Sequence, residues 1–309
     1  MTFALVFPGQ GSQSVGMMQP FSDAPVVRDT FAEASDALGQ DLWQLVEEGP
    51  ADALNATVNT QPVMLTAAYA VYRLWRERGG AQPAIVAGHS LGEYTALVAA
   101  GVIAFRDAVP LVRFRAQAMQ EAVPMGTGAM AAILGLDDEA VRAACADAAQ
   151  GEIVEAVNFN APSQVVIAGN KGAVERGVAA AKARGAKRAV LLPVSAPFHS
   201  SLLRPAADRL IEYLDNVTFQ APAIPVVNNV DVAVVDRPQA IKAALARQAC
   251  NPVRWVEVIQ RVKAAGVSQV GECGPGKVLA GLVKRIDQAL QGMAIADPQG
   301  LDQALAALT

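Results

Sequence analysis

A serine enclosed between two glycines is the side chain in this sequence best placed to act as a nucleophile. Residues 88–92 read Gly-His-Ser-Leu-Gly, which fits the G-x-S-x-G pattern of a nucleophile elbow, a sharp turn between a strand and a helix. An apolar run, 84–87, precedes the turn, and an alanine-rich helical run begins at Tyr94. Because the glycines let the turn close tightly and lift the hydroxyl of Ser90 away from the sheet, we predict that Ser90 is a nucleophile.

A serine hydroxyl is a weak nucleophile until a positioned base removes its proton. The chain has two histidines that could serve as this base. His89 immediately precedes Ser90, and adjacent side chains in such a turn point apart. His199 lies C-terminal to the serine, as the histidine does in elbow enzymes, so we predict that His199 is the base. No Asp or Glu stands out by its spacing as the orienting third member, and that position stays unassigned.

The segments that must hold these residues alternate between strands and helices. Apolar strands are predicted at 3–7, 224–228 and 267–273, and helices lie between them, among them one at 60–78. A further helix is predicted at 278–290, and this alternation is typical of an α/β protein. Within 125–196 the predicted order is β-α-β-β-α-β, the ferredoxin-like pattern. We therefore predict a small domain at 125–196 that is inserted into a larger domain formed by 1–124 and 197–309.

Composition limits the classes of protein to which the chain can belong. Its 309 residues are 52% hydrophobic and carry a net charge of −4, which argues against general nucleic-acid binding. Apolar runs of about 18 residues are missing, and no basic segment precedes the short run that stops at Pro8, so we expect neither a transmembrane helix nor a signal peptide. Three widely spaced cysteines without metal-ligand spacing indicate reduced thiols, which predicts a cytoplasmic protein without a metal site.

Two glycine-rich turns invite nucleotide-binding interpretations that their residues do not support. In the turn after the first strand, Ser14 stands where the third glycine of a dinucleotide-binding loop belongs. The turn at 271–278 is close to a phosphate-binding loop, but Val278 lacks the hydroxyl that would hold Mg²⁺ and Pro275 lacks an N–H donor. We interpret the second as a structural turn, and the first as either a plain turn or backbone that lines an active site.

Five segments, in this order, are similar to those of bacterial malonyl-CoA:acyl-carrier-protein transacylases of type II fatty-acid synthesis. They are Phe-Pro-Gly-Gln-Gly-Ser-Gln at 7–13, Gly-His-Ser-Leu-Gly-Glu-Tyr at 88–94, Val-Asn-Phe-Asn at 157–160, Pro-Phe-His-Ser at 197–200 and Gly-Pro-Gly-Lys at 274–277. The resemblance runs nearly end to end. It implies an α/β-hydrolase-like large domain with a central, mainly parallel sheet, which carries the ferredoxin-like insertion.

The same resemblance implies a reaction and its participants. Ser90 would take the malonyl group from malonyl-CoA as an ester, and the phosphopantetheine thiol of acyl carrier protein would then accept it. His199 would act as base and then as acid, and the backbone N–H groups of Gln10 and Leu91 would form the oxyanion hole. The coenzyme A thioester is the substrate in such a reaction, and no separate cofactor is implied.

Two further residues match family positions. Arg115 matches the arginine that binds the malonyl carboxylate, which a guanidinium fork can hold through two hydrogen bonds. The family usually has glycine at the next position, whereas this chain has Ala116. Gln248 matches the position whose backbone carbonyl orients the histidine, which would account for the missing acid.

Acyl carrier proteins are acidic as a class, so a basic surface could bind one. The segment 171–188 carries six cations and one anion, Glu175, which leaves an excess of five positive charges. The cations are Lys171, Arg176, Lys182, Arg184, Lys187 and Arg188. We predict a docking patch near the last four of them. An ordinary solvated helix face is the alternative explanation.

Three other functions remain compatible with the sequence. A serine hydrolase or thioesterase would share the serine, the histidine and the oxyanion hole but would give no reason for Arg115. A discrete acyltransferase that serves polyketide synthesis would share all of these residues. A scaffold that binds carrier protein without catalysis would never form an acyl-serine.

Overall fold

The computed structural model describes residues 2–308, and the elements below are those of this range. Its strands, numbered in chain order, are β1 Phe3–Phe7, β2 Ile85–Gly88, β3 Gly128–Leu134, β4 Val154–Ala161, β5 Gln164–Asn170, β6 Arg188–Leu191, β7 Val226–Val227, β8 Gln269–Cys273 and β9 Gln291–Ile295. Its α-helices are α1 Pro25–Leu38, α2 Leu42–Glu48, α3 Ala51–Asn55, α4 Thr57–Glu77, α5 Gly92–Ala99, α6 Phe105–Glu121, α7 Asp138–Ala149, α8 Lys171–Ala183, α9 Arg204–Asp215, α10 Pro238–Gln248, α11 Trp255–Ala264, α12 Val278–Ile286 and α13 Pro298–Leu308.

The central sheet is parallel and has the strand order β7-β2-β1-β8-β9. All five residues of β1 are buried, as expected for an inner strand covered on both faces. Phe3, Leu5 and Phe7 pack with α1, α4 and α6 on one face, whereas Ala4 and Val6 pack with α11 and α12 on the other. Successive side chains of β1 point to opposite faces of the sheet, so this one apolar strand contributes to the core on both faces.

The second sheet is antiparallel and has the strand order β4-β5-β3-β6. Helices α7 and α8 cover one of its faces, where Ile133, Val165 and Ile167 are buried. The element order and this strand order are those of a ferredoxin-like unit. The predicted fold class, a large α/β domain with a mainly parallel sheet plus a ferredoxin-like unit, is confirmed; the boundaries at 125 and 196 stay a prediction.

Strand β4 bonds the antiparallel sheet to two segments outside it. Val253, which precedes α11, donates its N–H to the carbonyl of Val157 at 2.8 Å and accepts from the N–H of Phe159 at 3.0 Å. Glu155 of β4 accepts from the N–H of Ser201 at 2.7 Å and from its hydroxyl at 2.8 Å. The segment that carries His199 is thereby bonded to the antiparallel sheet.

The carboxyl-terminal segment differs from the sequence prediction. The helix expected at 278–290 ends at Ile286, and neither β9 nor α13 was predicted. Asp287 adopts an extended conformation, and its carboxylate accepts from the N–H of Ala289 at 2.9 Å. Such a local side-chain bond competes with the helix and explains its early end. None of the helices in the described range is long and apolar enough to span a membrane.

Candidate active site

The elbow at Ser90 lies where β2 ends and α5 begins, beside the end of β1. Ser90 has a φ of +52°, which places its backbone in the left-handed region. A Cβ at Gly88 would lie 1.9 Å from the carbonyl carbon of Gly92, and a Cβ at Gly92 would lie 2.1 Å from the carbonyl oxygen of Phe7. Only glycine fits at these two positions, so the sequence G-x-S-x-G is a direct consequence of the turn.

His199 forms a hydrogen-bonded pair with the serine. Its Nε2 lies 2.7 Å from Oγ of Ser90, and its Nδ1 lies 2.8 Å from the backbone carbonyl oxygen of Gln248. A carbonyl oxygen can only accept, so Nδ1 carries the proton and Nε2 presents a lone pair to the serine hydroxyl. The structure thus brings together the predicted nucleophile, the predicted base and the backbone carbonyl.

Electrostatics keep this histidine neutral. Burial, and after it the positive charge of Arg115, together lower the pKa of His199 to about 3, against the raising effect of the bond to Gln248. A base acts in its unprotonated form. A lowered pKa therefore extends the active form of His199 to lower pH.

Reaction of Ser90 with a neutral serine reagent should consequently stay fast in mild acid. A histidine with an ordinary pKa of about 6.5 would be about nine-tenths protonated at about pH 5.5, whereas His199 remains neutral there. We expect labelling by phenylmethylsulfonyl fluoride, followed by mass spectrometry, to proceed within about twofold of its rate at about pH 7.5. A tenfold slower reaction in protein that circular dichroism shows to be folded would contradict the neutral-base interpretation.

Arg115 of α6 points into the same site. Its side chain is only 2% exposed, and its Nη2 lies 3.2 Å from Oγ of Ser90. Nη2 also donates to Oε1 of Gln248 at 2.9 Å, and Nη1 donates to Oε1 of Gln61 at 2.8 Å. The ring of Tyr94 lies 5.3 Å from its Cζ, within cation–π range. Its hydrogen-bond partners are neutral, so the guanidinium charge remains available for an anion beside the serine.

A chain of side chains links Arg115 to the loop after β1. Gln61 Nε2 donates to Oγ1 of Thr57 at 3.1 Å, and Thr57 Oγ1 donates to Oε1 of Gln10 at 2.8 Å. Thr57 and Gln61 are one turn apart on α4, so a single helix face holds both. The loop that carries Gln10 is therefore tied to the arginine through two buried side chains.

Gln10 and Leu91 border the cavity in front of Ser90. The N–H of Ser90 itself donates to Oδ1 of Asn229 at 2.7 Å. Within residues 2–308, the backbone N–H groups of Gln10 and Leu91 have no such acceptor. These two donors are consequently free to bind an oxyanion that forms at Ser90.

The cavity lies between the two sheets and encloses about 130 Å³. The antiparallel sheet and the chain after it contribute Met130, Asn158, Leu192 and Val194 to its wall. Oδ1 of Asn158 is buried and has no hydrogen-bond partner in the described range. The site thus combines a serine bonded to a histidine, two backbone N–H groups without an acceptor among residues 2–308 and a buried cation, an arrangement suited to forming an ester with an acyl group that bears a carboxylate.

Several residues of this site were not found from the sequence. Gln61 lies on the helix predicted at 60–78, Thr57 lies just before the predicted start of that helix, and Asn229 lies after the predicted strand at 224–228, but none of the three was singled out. The available signal was a polar side chain at a core position: Gln61 is 2% exposed and Asn229 fully buried. No group of three His, Cys, Asp or Glu side chains that could hold a metal ion occurs among residues 2–308.

A family model described as "Acyl transferase domain" matches residues 4–294. The chain belongs to the acyl transferase family. Among relatives of this acyl transferase is the malonyl CoA-acyl carrier protein transacylase of Escherichia coli K12, 57% identical over 304 residues, with 98% of each chain covered.

Two solved structures of acyl transferases are also similar. An acyl-carrier-protein S-malonyltransferase from Burkholderia pseudomallei 1710b has 69% identity and a TM-score of 0.98, and the match covers 99% of this chain and 100% of that one. A malonyl-transacylase in complex with a type II polyketide synthase acyl-carrier protein has 55% identity and a TM-score of 0.98, with 99% and 100% covered.

Proposed function

We propose that this acyl transferase moves a malonyl group from malonyl-CoA to the phosphopantetheine thiol of an acyl carrier protein through an ester of Ser90. One observation carries the proposal. The guanidinium of Arg115, held by neutral amide oxygens, lies 3.2 Å from the nucleophilic oxygen. Similar proteins that match 98% or more of the chain are named for malonyl transfer or malonyl-transacylase activity, which supports the same substrate.

In the first half-reaction His199 Nε2 takes the hydroxyl proton while Oγ of Ser90 attacks the thioester carbonyl. The N–H groups of Gln10 and Leu91 stabilise the oxyanion of the tetrahedral intermediate. The C–S bond then breaks, and His199 returns the proton to the sulfur of coenzyme A. The products are free coenzyme A and a malonyl-serine ester.

In the second half-reaction the carrier's phosphopantetheine thiol occupies the place that coenzyme A has left. His199 takes the thiol proton, the sulfur attacks the ester carbonyl and the C–O bond to Ser90 breaks. The serine oxygen recovers its proton from His199. Every proton and electron pair is accounted for by the protein, the thioester and the thiol, so we propose that no cofactor takes part. We also propose that the reaction runs in the cytoplasm, where the three free cysteines would stay reduced.

Arg115 gives the reaction its selectivity for malonyl. The malonyl carboxylate is separated from the thioester carbonyl by one methylene, and Arg115 lies close to the atom that attacks that carbonyl. A guanidinium binds a carboxylate through two parallel hydrogen bonds. An acetyl group would leave this buried cation without an anion, which raises the cost of its transfer.

The proposal is tested by intact-protein mass spectrometry after brief mixing with malonyl-CoA. We expect one malonyl adduct, located on Ser90 by peptide mapping, which disappears on addition of phosphopantetheinylated carrier as malonyl-carrier forms. A hydrolase would instead lose the adduct to water without carrier. A protein that binds carrier but never forms the adduct would contradict the proposal.

The carrier-docking surface remains a proposal. The structure reduces the charge excess in the predicted patch, because Arg176 lies 2.8 Å from Glu152 and Arg184 is paired with Asp147. No ion pair within residues 2–308 involves the remaining cations, which are Lys171, Lys182, Lys187 and Arg188. Arg188 begins β6, whose chain continues to Leu192 in the wall of the cavity. This continuity supports docking of an acidic carrier there.

Charge reversal at this patch should weaken the carrier half-reaction alone. We expect Arg188→Glu to raise KM for carrier by about threefold to tenfold and to flatten its salt dependence, because a rim charge steers an acidic partner. The matched control is Arg261→Glu, an exposed arginine of α11. Carrier KM should be measured between low and moderate salt, with the coenzyme A burst as the internal standard. A salt response equal to that of the control would refute this docking site.

A fatty-acid carrier is the partner that we propose, and a polyketide carrier is the second candidate. The observation that favours a polyketide carrier is that a similar solved malonyl-transacylase is in complex with a type II polyketide synthase acyl-carrier protein. Carrier KM values measured side by side with one representative of each class would distinguish them.

A further inference from the structure

Asn229, which follows β7 and is fully buried, is bonded to the main chain on both sides of His89. Its Oδ1 accepts from the N–H of Ser90 at 2.7 Å, and its Nδ2 donates to the carbonyl of Gly88 at 2.8 Å. Left-handed backbone such as that of Ser90 persists only where surrounding contacts hold it. The side chain of Asn229 is therefore a brace across the turn that presents the serine.

A buried carboxylate holds this brace in turn. Glu93 lies in the first turn of α5 and is 2% exposed. Its Oε2 accepts from the backbone N–H of Asn229 at 2.9 Å and from Nε2 of Gln248 at 2.9 Å. Oε2 of Glu93 thus links Asn229, which holds the turn at the serine, to Gln248, whose carbonyl accepts from the histidine.

Gln248 is fixed at several points as a result. Its Nε2 also donates to the carbonyl of Ser90 at 3.0 Å, and its Oε1 accepts from Arg115. Its backbone carbonyl accepts from Nδ1 of His199 at 2.8 Å. The side chain of Gln248 is bonded to Glu93, to the carbonyl of Ser90 and to Arg115, so it cannot rotate freely. The backbone carbonyl of the same residue therefore keeps a defined position.

We propose that Glu93 and Asn229 are positioning residues: Asn229 holds the elbow, and Glu93 holds both Asn229 and, through Gln248, the orientation of His199. In a Ser-His-Asp enzyme the acid contacts the histidine directly. Here the acid, Glu93, does not contact the histidine but acts on it through Gln248, and it lies three residues after Ser90 in the sequence. The proposal builds on the acyl-serine route proposed above.

The arrangement does not require Glu93 to be charged. Burial raises the pKa of Glu93 to about 7, against the lowering effects of Gln248, Asn229 and the charge of Arg115, while Asp231 raises it. A protonated carboxyl group still offers an acceptor oxygen. An amide at this position should therefore support the same two hydrogen bonds, whereas a side chain without oxygen should not.

The test compares variants by their rate of reaction with phenylmethylsulfonyl fluoride at Ser90. This neutral reagent needs the serine and its base but no bound carboxylate. We expect Glu93→Ala and Asn229→Ala to slow labelling about tenfold to a hundredfold, because small displacements of a reacting group cost that much. Glu93→Gln, which keeps an oxygen acceptor, should stay within about threefold of the unmodified enzyme.

Two matched controls separate positioning from loss of stability. Glu272→Ala removes another fully buried carboxylate, which accepts from the N–H of Ala280 at 2.8 Å and does not border the site. Asn228→Ala removes a buried amide next to Asn229, one that is bonded to Ala233. Both should lower the melting temperature yet leave the labelling rate within about twofold.

The outcomes are decisive in either direction. Slow labelling in folded Glu93→Ala, restored in Glu93→Gln, supports the proposal, and it does so even if malonyl transfer itself fails, because the reagent carries no malonyl group. Unmodified rates in folded Glu93→Ala and Asn229→Ala would overturn it, as would an equal loss in the two controls. If Asn229→Ala does not fold, Asn229→Asp keeps the acceptor for Ser90 but removes the donor to Gly88, and an unchanged rate there would count against the brace.

Discussion

Replacement of Arg115 by alanine should lower malonyl transfer on the order of a thousandfold while acetyl transfer stays at or above its original rate. The carboxylate loses a buried, charge-assisted partner, whereas an acetyl group no longer has to leave a cation unpaired. The measurement is kcat/KM for malonyl-CoA and for acetyl-CoA with the same carrier. The ratio of the two constants, rather than either alone, reports the role of the guanidinium.

Two variants make this result interpretable. Arg115→Lys keeps the charge but not the fork, so we expect it to recover only part of the selectivity. Arg113→Ala, on the same helix, removes an arginine whose Nη2 donates to Gln40 outside the site, and it should leave the ratio unchanged. Equal losses for malonyl and acetyl in Arg115→Ala would exclude carboxylate recognition and indicate general damage to the site.

Replacement of His199 by alanine should slow acylation by about 10³-fold to 10⁴-fold, because Ser90 then lacks the base that takes its proton. His89 is not placed to take over, since its Nε2 lies 2.8 Å from Oδ1 of Asn160, whereas the histidine bonded to the Ser90 hydroxyl is His199. The measurement is the burst of coenzyme A released from malonyl-CoA. Added imidazole should restore part of the burst by occupying the space that the side chain has left.

The neighbouring variant Ser200→Ala is the control for that experiment. Ser200 is fully buried and donates to the carbonyl of Pro197 at 2.7 Å, so its loss perturbs the same segment without removing the base. We expect its burst to stay within about threefold of normal and to show no response to imidazole. A burst in His199→Ala as fast as in this control would mean that another group activates the serine.

The residues that could be predicted from the sequence are those whose evidence is local. Gly88 and Gly92 follow from a turn that leaves no room for a Cβ, and they point to the serine between them. His199 follows from a count, because only one histidine other than His89 exists. The β-α-β-β-α-β order is likewise local, since each of its elements is read from its own periodicity.

The supporting residues could not be found in this way because their contacts cross long stretches of chain. Asn229 meets Ser90 only through the pairing of β2 with β7, a strand of two residues whose register no pattern can fix. Glu93 was visible within the motif, but its two partners belong to segments after 228. The family resemblance supplied roles for Arg115 and Gln248 that periodicity alone did not.

The way in which Arg115 is held has a consequence for inhibitor chemistry. Two glutamine amides fix the guanidinium beside Ser90 before any ligand arrives, so a ligand that meets it loses little free energy to rearrangement. A serine-directed electrophile with a carboxylate one methylene away should therefore bind far more tightly than its methyl-terminated analogue. The same reagent should react much more slowly with serine hydrolases whose acyl pockets contain no cation.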